Sequence, residues 1–391
     1  MNQIRTAVIG VGNMGTAHAH CIAGGSIDGL LLTALCDISP QRRHICRELF
    51  PGVPCYASID ELLASHTADA VVIAVPHPLH SQIAMAALAA GLHVLVEKPI
   101  DVSLSKGRAL CDFADRSGLV LAAMLNQRTN PLFQKAREIV QGGQLGELKR
   151  TVWIITNWYR TQHYYDSGTW RATWAGEGGG VLLNQAPHNL DLWQWICGMP
   201  KTVAASCDVA RYHRIEVEDD ATIFTRYENG ATGVFITSTG ETPGTNRLEI
   251  AGTLGKIVLE GGKLKWWRLK QPEDVVRYSS DEDFLHVPFD YTELLPEGKE
   301  SAHAGILQNW ADAMLTGTPL LSPGRDALNE LAISNAAYLS QWRGNIPVEL
   351  PMDCAAFDRL LAERQTQSVL KQEHTVTEAS TGYSKRWQVN W

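Results

Sequence analysis

Lys98 lies in Glu97-Lys98-Pro99, directly after the apolar run HVLV. An amine at the end of a buried strand can be stripped of water, lowered in pKa and used as a proton acceptor. By position alone it could equally be a charge that closes a strand. A second group of chemically able residues stands at 176–191, GEGGGVLLNQAPHNLD. On a 3.6-residue helix Asn184, His188 and Asp191 fall within about 60° of one another, while Leu183, Ala186, Leu190, Trp193 and Cys197 take the other side. The spacing predicts a polar stripe toward a cleft or solvent and an apolar stripe toward a core. Pro187 requires the helix to start or kink near Asn184. Gly178, Gly179 and Gly180 would let backbone approach a ligand closely.

A third stretch, Gly10-Val-Gly12-Asn13-Met14-Gly15, follows an apolar run and opens a helical one. G-x-G-x-x-G alone is a weak signal, but strand before, helix after and an acid at the end of the next strand are the context it needs. Gly10 permits the turn, Gly12 lets backbone approach a pyrophosphate, and Gly15 lets helix pack on strand. Asp37, 22 residues past Gly15, would accept hydrogen bonds from ribose hydroxyls and repel a 2′-phosphate, favouring NAD over NADP. Arg42 and Arg43 could hold such a phosphate or form a solvated face. Val75-Pro76-His77-Pro78-Leu79-His80 and Glu97 follow later strands, at the carboxyl edge where open α/β sheets bind ligands. Pro76 fixes the turn, and His77 or His80 could touch the nicotinamide half or simply be exposed.

The segment NWYRTQHYYDSGTWRATW, 157–174, carries Trp158, Tyr159, Tyr164, Tyr165, Trp170 and Trp174. Aromatic faces stack on sugar C–H surfaces, and Arg160 and Arg171 suit oxygen atoms. Core or interface packing is the competing account for any one of them.

These groups need elements to position them. Between residues 6 and 125 the runs TAVIG, LLTALC, AVVIAV, HVLVE and VLAAML alternate with helical segments. Ser58-Ile-Asp-Glu61 reads as a capping box. Buried strands alternating with helices give a doubly wound parallel sheet, here a Rossmann domain over 1–125. Beyond it the segments lengthen, aromatics increase and hairpin punctuation appears at Tyr227-Glu-Asn-Gly230. Strands are expected at 149–158, 202–209, 220–226, 232–239, 246–251, 255–259 and 263–269, and helices near 303–316 and 325–342. That predicts an α+β domain over 126–345 with an open, largely antiparallel sheet. Residues 346–391 read as a polar tail ending in Trp387 and Trp391, a frayed end or an arm that docks on a neighbouring subunit.

The chain's 391 residues suit two domains, and 45% hydrophobic with 19% charged residues is ordinary globular composition. A net charge of −8 without a basic run argues against nucleic acid or an anionic membrane as partner. The eight cysteines show no C-x-x-C pair and no metal spacing, so reduced thiols and no metal are expected. The start lacks signal-peptide features and no apolar run is long enough to span a bilayer, which points to the cytoplasm.

Together GVGNMG, Asp37, VPHPLH, VEKP, Asn126-Gln-Arg128-Thr-Asn-Pro131 and EGGGVLLNQAPHNLD resemble the glucose–fructose oxidoreductase / inositol dehydrogenase family (Gfo/Idh/MocA), in order over roughly residues 4–345. The resemblance implies an NAD(P)-binding Rossmann domain and a sheet domain that covers a sugar or polyol. It implies Lys98 as base working with His188, and homodimers or homotetramers formed through the open sheet. Arg128, Tyr159, Arg160, Tyr165, Trp170, Arg171 and Asn184 are the expected substrate contacts. The family usually has aspartate at Asn184 and glycine at Ala186. Asparagine cannot take a proton, which shifts the base role toward Lys98. The leading expectation is NAD-dependent oxidation of a ring hydroxyl of a sugar, glycoside or cyclic polyol. A glycosidase that uses transient ring oxidation and elimination is the alternative. A sensor without chemistry is disfavoured by the presence of both Lys98 and His188.

Overall fold

The computed structural model describes residues 3–369. Six parallel strands form the first sheet: β1 (Ile4–Ile9), β2 (Leu30–Cys36), β3 (Cys55–Tyr56), β4 (Ala70–Ile73), β5 (His93–Val96) and β6 (Leu121–Ala123). Their order β3-β2-β1-β4-β5-β6 reverses direction at β1, so a crevice opens where β1 and β4 diverge. Five helices cover the faces: α1 (Asn13–Ala23), α2 (Pro40–Leu49), α3 (Ile59–Ala64), α4 (His80–Ala89) and α5 (Leu104–Ser117). Local signals fix their starts. Ser39 caps α2 by accepting Arg42 N–H ahead of Pro40. Ser58 accepts Glu61 N–H, and Glu61 reaches back to Ala57 N–H, the reciprocal pattern expected of a capping box. β3, two residues long, is too short to show a periodicity.

The second half begins with α6 (Pro131–Gln141), β7 (Leu148–Ile155), α7 (Gln162–Asp166), α8 (Val181–Asn184) and α9 (Pro187–Cys197). It continues with β8 (Thr202–Val209), β9 (Glu218–Arg226), β10 (Thr232–Ser238), β11 (Asn246–Gly252), β12 (Gly255–Glu260), β13 (Lys263–Leu269), α10 (Glu273–Ser279) and β14 (Phe289–Leu294). Then come α11 (Ala302–Thr316), α12 (Ala327–Trp342), β15 (Val348–Glu349) and α13 (Cys354–Gln367). The nine-stranded sheet runs β14-β13-β12-β11-β7-β10-β9-β8-β15. It is antiparallel except where β10 pairs parallel with β7.

Alternation decides which face of that sheet is covered. Thr151, Trp153 and Ile155 of β7 are buried, as are Ile223 of β9 and Phe235 of β10. Trp193 of α9 stacks on Phe235 at 5.5 Å and donates to Thr151 Oγ1 at 2.9 Å. The intervening Val152, Ile154, Thr222, Phe224, Val234 and Ile236 are half-buried or exposed, on a face that carries no helix layer among the described residues. Two stretches depart from the sequence reading. Residues 354–367, assigned to a tail, form α13, which buries Phe357 against Trp342. Helix α11 buries Ile306, Leu307, Trp310 and Ala311 in one cluster with Ile4, Val8, Ala19 and Ile22 of β1 and α1. Trp387 and Trp391 lie outside the described residues. No helix among the described residues is long and apolar enough to cross a membrane, and no group of three or more His, Cys, Asp or Glu is placed to hold a metal.

Candidate active site

The turn between β1 and α1 shows why glycine stands at each motif position. Gly10 has φ +84° and faces the Ala74 carbonyl of the next strand, and a Cβ on Gly15 would collide with the Gly10 carbonyl. A Cβ on Gly12 would meet only open space, which leaves room for a phosphate above the turn. Gly12 caps α1 without a side-chain hydrogen bond, so the helix start is left to an anion. Asn13 and Met14 open that helix, half-buried. Asp37 accepts Val11 N–H at 2.9 Å and Ser39 N–H at 2.8 Å, and these bonds hold the carboxylate still beside the turn. Arg43 is committed to the Asp37 and Ile38 carbonyls, both at 2.8 Å.

Across the crevice, Lys98 Nζ donates to the Asn184 carbonyl at 2.6 Å. Burial lowers the lysine pKa, while Glu97, Glu177 and Glu330 oppose the shift. Its neighbour Glu97 pairs with His18 Nε2 at 2.8 Å. Burial disfavours the Glu97 charge, but the His18 hydrogen bond and charge outweigh it and hold the carboxyl at about 2. His188 is pushed down to about 3, first by burial and then by Lys98, so its imidazole is neutral at neutral pH. Its Nδ1 has no hydrogen-bond partner among the described residues. His303, at the start of α11, lies in the same electrostatic neighbourhood and is lowered to about 4 by burial.

The stripe read from 3.6-residue spacing is divided. Pro187 starts a new helix, so Asn184 ends α8 and His188 opens α9. Asp191 faces neither cleft nor solvent: it is 1% exposed and receives Arg128 Nη2 at 2.6 Å and Nε at 2.8 Å. Arg128 is likewise 1% exposed and also bonds Asp326 at 2.7 Å. Its guanidinium is therefore structural, not a substrate contact. The spacing placed Asp191 on the right face of an ideal helix and could not reveal a buried cation waiting there.

The three glycines also have a different reason. Gly178 (φ +84°) packs on Val102, Gly179 on the Tyr338 hydroxyl, and Gly180 on the Glu218 carbonyl. They seat the loop against protein and leave no gap for a ligand behind them. Glu218, buried in β9, accepts Leu182 N–H at 2.9 Å, Gly180 N–H at 3.0 Å and the Tyr338 hydroxyl at 2.7 Å. Burial raises its carboxyl to about 7.

The loop carries Glu177, a buried carboxylate that sequence reasoning missed. It accepts Ala172 N–H at 2.5 Å and the Asn184 side-chain amide. Burial raises its pKa, against the pull of Arg171 and the hydrogen bonds. Its carbonyl contacts His77 Nδ1 at 3.3 Å, which ties the loop after β4 to the second half of the chain. Tyr164 is the hub of the wall: its hydroxyl receives Arg171 at 2.8 Å and both Asn184 Nδ2 and Gln185 Nε2 at 3.3 Å. Trp170 meets the His77 ring edge-on at 5.6 Å, and Pro76 is half-buried beside it.

Other expected contacts are already engaged. His80 is fully buried with its ring nitrogens at 2.7 Å and 2.8 Å from the Pro99 and Val75 carbonyls. It braces the Lys98 turn and does not reach the crevice. Tyr165 is buried with its hydroxyl on Thr239 at 2.7 Å. Arg160 bonds the Trp158 and Tyr159 carbonyls, both at 3.0 Å, and Tyr159 projects outward, about half exposed. Behind the site, Glu330 of α12 is fully buried and neither carboxyl oxygen has a hydrogen-bond partner among the described residues. Burial raises its pKa well above the usual carboxylate value, against the pull of Lys98.

A phosphate-ready glycine turn, a fixed acid at the second strand end and a lysine facing a covering domain define a two-domain dinucleotide-binding protein. The chain belongs to the Gfo/Idh/MocA oxidoreductase family. Residues 4–124 match its "Oxidoreductase family, NAD-binding Rossmann fold" and residues 133–258 its "GFO/IDH/MocA C-terminal domain". The first third of the chain is thus an NAD-binding domain. Two uncharacterised oxidoreductases of Schizosaccharomyces pombe are 30% and 31% identical, and the matched stretch spans only 59% and 48% of their lengths. Myo-inositol 2-dehydrogenase of Thermotoga maritima is 27% identical over 65% of this chain and 74% of its own. The WlbA dehydrogenase from Bordetella pertussis, solved in complex with NADH and UDP-GlcNAcA, is 26% identical with a TM-score of 0.77, over 90% of this chain and 100% of that one.

Proposed function

We propose that this protein oxidises a ring hydroxyl of a sugar, glycoside or cyclic polyol. The observation that carries the reading is the meeting of Lys98 Nζ with Asn184 at 2.6 Å, beside a neutral His188 and at the carboxyl edge of an NAD-binding sheet. Gly10, Gly12 and Gly15 with the α1 start would hold the pyrophosphate, Asp37 the adenosine ribose, and Pro76 with His77 the nicotinamide half. Bound NAD supplies the hydride acceptor. Lys98, unprotonated in a larger fraction because burial lowers its pKa, takes the hydroxyl proton. His188 orients that hydroxyl through a neutral ring nitrogen. Asn184, whose amide N–H is held by Glu177 and Tyr164, turns its Oδ1 toward a second hydroxyl. Arg171 and Trp170 form the wall. The relatives named for inositol and UDP-GlcNAcA support a hydroxylated ring as substrate class. The uncovered face of the nine-stranded sheet, with Val152, Ile154, Phe224, Val234 and Ile236, suits assembly with further copies. The eight free cysteines suit the cytoplasm.

A panel of sugars, glycosides and cyclic polyols with NAD, followed by NADH absorbance and product analysis, tests the reading. Net NADH with a ketone product is the expected result. A cleaved glycoside without net NADH would move the protein to the transient-oxidation glycosidases. His188→Ala is expected to lower kcat by about 10²-fold, the usual worth of a positioned proton-transfer partner. Asn184→Ala is expected mainly to raise KM, because it removes a bond present before and during reaction. For the cofactor, NAD is expected to be preferred over NADP by at least about tenfold in kcat/KM, roughly 1.4 kcal/mol. Asp37→Ser should narrow that preference; equal use of both dinucleotides by the unmodified protein counts against the assignment.

A further inference from the structure

Glu177 divides its carboxylate between two segments of the site. Oε2 accepts Ala172 N–H at 2.5 Å, and Oε1 accepts the Asn184 side-chain amide. Ala172 directly follows Trp170 and Arg171 of the wall and stands at φ +52°, where a residue with a Cβ needs support from its surroundings. The Glu177 and Gly178 N–H groups both donate to the Thr173 carbonyl, at 2.9 Å and 3.2 Å, which turns the loop back onto its own carboxylate. Asn184 is half-buried. Its Nδ2 also reaches the Tyr164 hydroxyl at 3.3 Å, and its Oδ1 has no hydrogen-bond partner among the described residues. Glu177 itself is 1% exposed, so it acts on a substrate only through what it holds.

We propose that Glu177 is a positioning residue that fixes the hydrogen-bonding sense of Asn184, so that the crevice offers the sugar an acceptor and not a donor at that point. A side-chain amide has a donor end and an acceptor end of nearly equal size, and a half-turn about its last bond exchanges them. An ionised carboxylate can only accept. Facing Glu177, Asn184 therefore directs its N–H groups inward, which leaves Oδ1 for the crevice. Burial disfavours the Glu177 charge, while Arg171, the Ala172 and Asn184 hydrogen bonds and Lys98 favour it. The acceptor matters because Arg171, in the same wall, can only donate. A sugar hydroxyl that accepts from the guanidinium still has a proton to give, and Oδ1 takes it. Glutamine at 177 has the same shape and one acceptor fewer. If its Oε1 stays on Ala172 N–H, its amide N–H groups face those of Asn184, donor against donor. Asn184 then turns over and presents Nδ2 to the sugar.

The inference rests on Asn184 as a substrate contact, and the test separates the two. The whole protein, its Glu177→Gln and Asn184→Asp variants and the double variant are assayed with NAD and one probe of each class: D-glucose, methyl β-D-glucoside and myo-inositol. Calorimetric titration of the same probes into the protein with NADH reads binding without turnover, and thermal unfolding reads the fold. Each single variant is expected to raise KM by at least about fivefold, the weight of one lost hydrogen bond, with kcat changed less. In Glu177→Gln the amide turns over; in Asn184→Asp two carboxylates face each other. In the double variant the new amide donates to the new carboxylate, whose second oxygen faces the crevice. KM and sugar affinity should then return to within about twofold of their starting values, the tolerance of such cycles. Single effects that multiply in the double variant, Glu177→Gln with unchanged KM and sugar affinity, or a recovery confined to Tm would each overturn the proposal. Asn184→Ala with unchanged KM, or an unmodified protein that neither oxidises nor binds any of the three probes, would instead reject Asn184 as a substrate contact, and the role of Glu177 with it.

Discussion

Lys98→Met is expected to lower kcat by about 10²-fold or more, the loss typical of a positioned general base, while NAD affinity stays near its starting value. Methionine keeps the length and apolar stem of the side chain but removes the amine that meets the Asn184 carbonyl. The pH–rate profile of the unmodified enzyme should fall on its acid side as Lys98 gains a proton. Burial lowers the lysine pKa, so this limb lies below the usual lysine range, and the variant should lose it. Steady-state kinetics across pH, with NAD binding measured separately, check both parts. A variant that retains most of its activity would make Lys98 a strand terminus with no proton to carry.

Arg128→Met is expected to cost about 3–5 kcal/mol of stability, the range for breaking a buried ion pair by removing one partner. The cause is Asp191, 1% exposed, whose charge would keep only Gln194 at 3.0 Å among its present side-chain partners. In a chain of this size that is a fall in Tm of about 4–6 °C. Pairing Arg128→Met with Asp191→Leu should recover most of the loss, because it removes the stranded charge and fills similar volume. Calorimetry of the two variants decides it: equal destabilisation in both would mean that the hydrogen bond to Asp326 carries the effect. Sugar KM in the folded single variant should stay unchanged, which a substrate-binding arginine would not allow.

The contrast between Lys98 and Arg128 shows what the sequence could and could not reveal. Lys98 follows a buried run, so its place at a strand's carboxyl end can be read from five consecutive residues. Arg128 follows a strand too, in an equally suggestive motif, but its partners Asp191 and Asp326 are 63 and 198 residues away. No periodicity reports an ion pair of that separation. The Rossmann strands were legible except β3, which has two residues and no alternation. Seven of the strands in the second sheet were legible: β8 to β13 because hairpins keep at least one partner close in sequence, and β7, paired with the distant β10 and β11, from its own apolar residues. β14 was not, as all its residues but Leu294 are exposed and no apolar face marks it. Glu177, Glu218 and Glu330 look like surface carboxylates in the sequence. Their burial follows from loops and helices that close over them. Helix α13 was read as tail because its polar residues outnumber the three it buries, Ala356, Phe357 and Leu361.

Helix α11 has a consequence for how the chain is made. Ile306, Leu307, Trp310 and Ala311 complete the apolar cluster of β1 and α1, and the Ser322 carbonyl accepts Ala123 N–H at 3.0 Å beyond β6. Synthesis delivers the N-terminus first, so the nucleotide-binding half emerges with the Trp310 site uncovered. It must wait through β7 to β14 before its own last helix arrives. During that interval the β1–α1 surface is an exposed apolar patch on a nascent chain. A gene truncated after residue 125 would leave that patch open permanently, and aggregation, not a free-standing dinucleotide-binding domain, is its expected product.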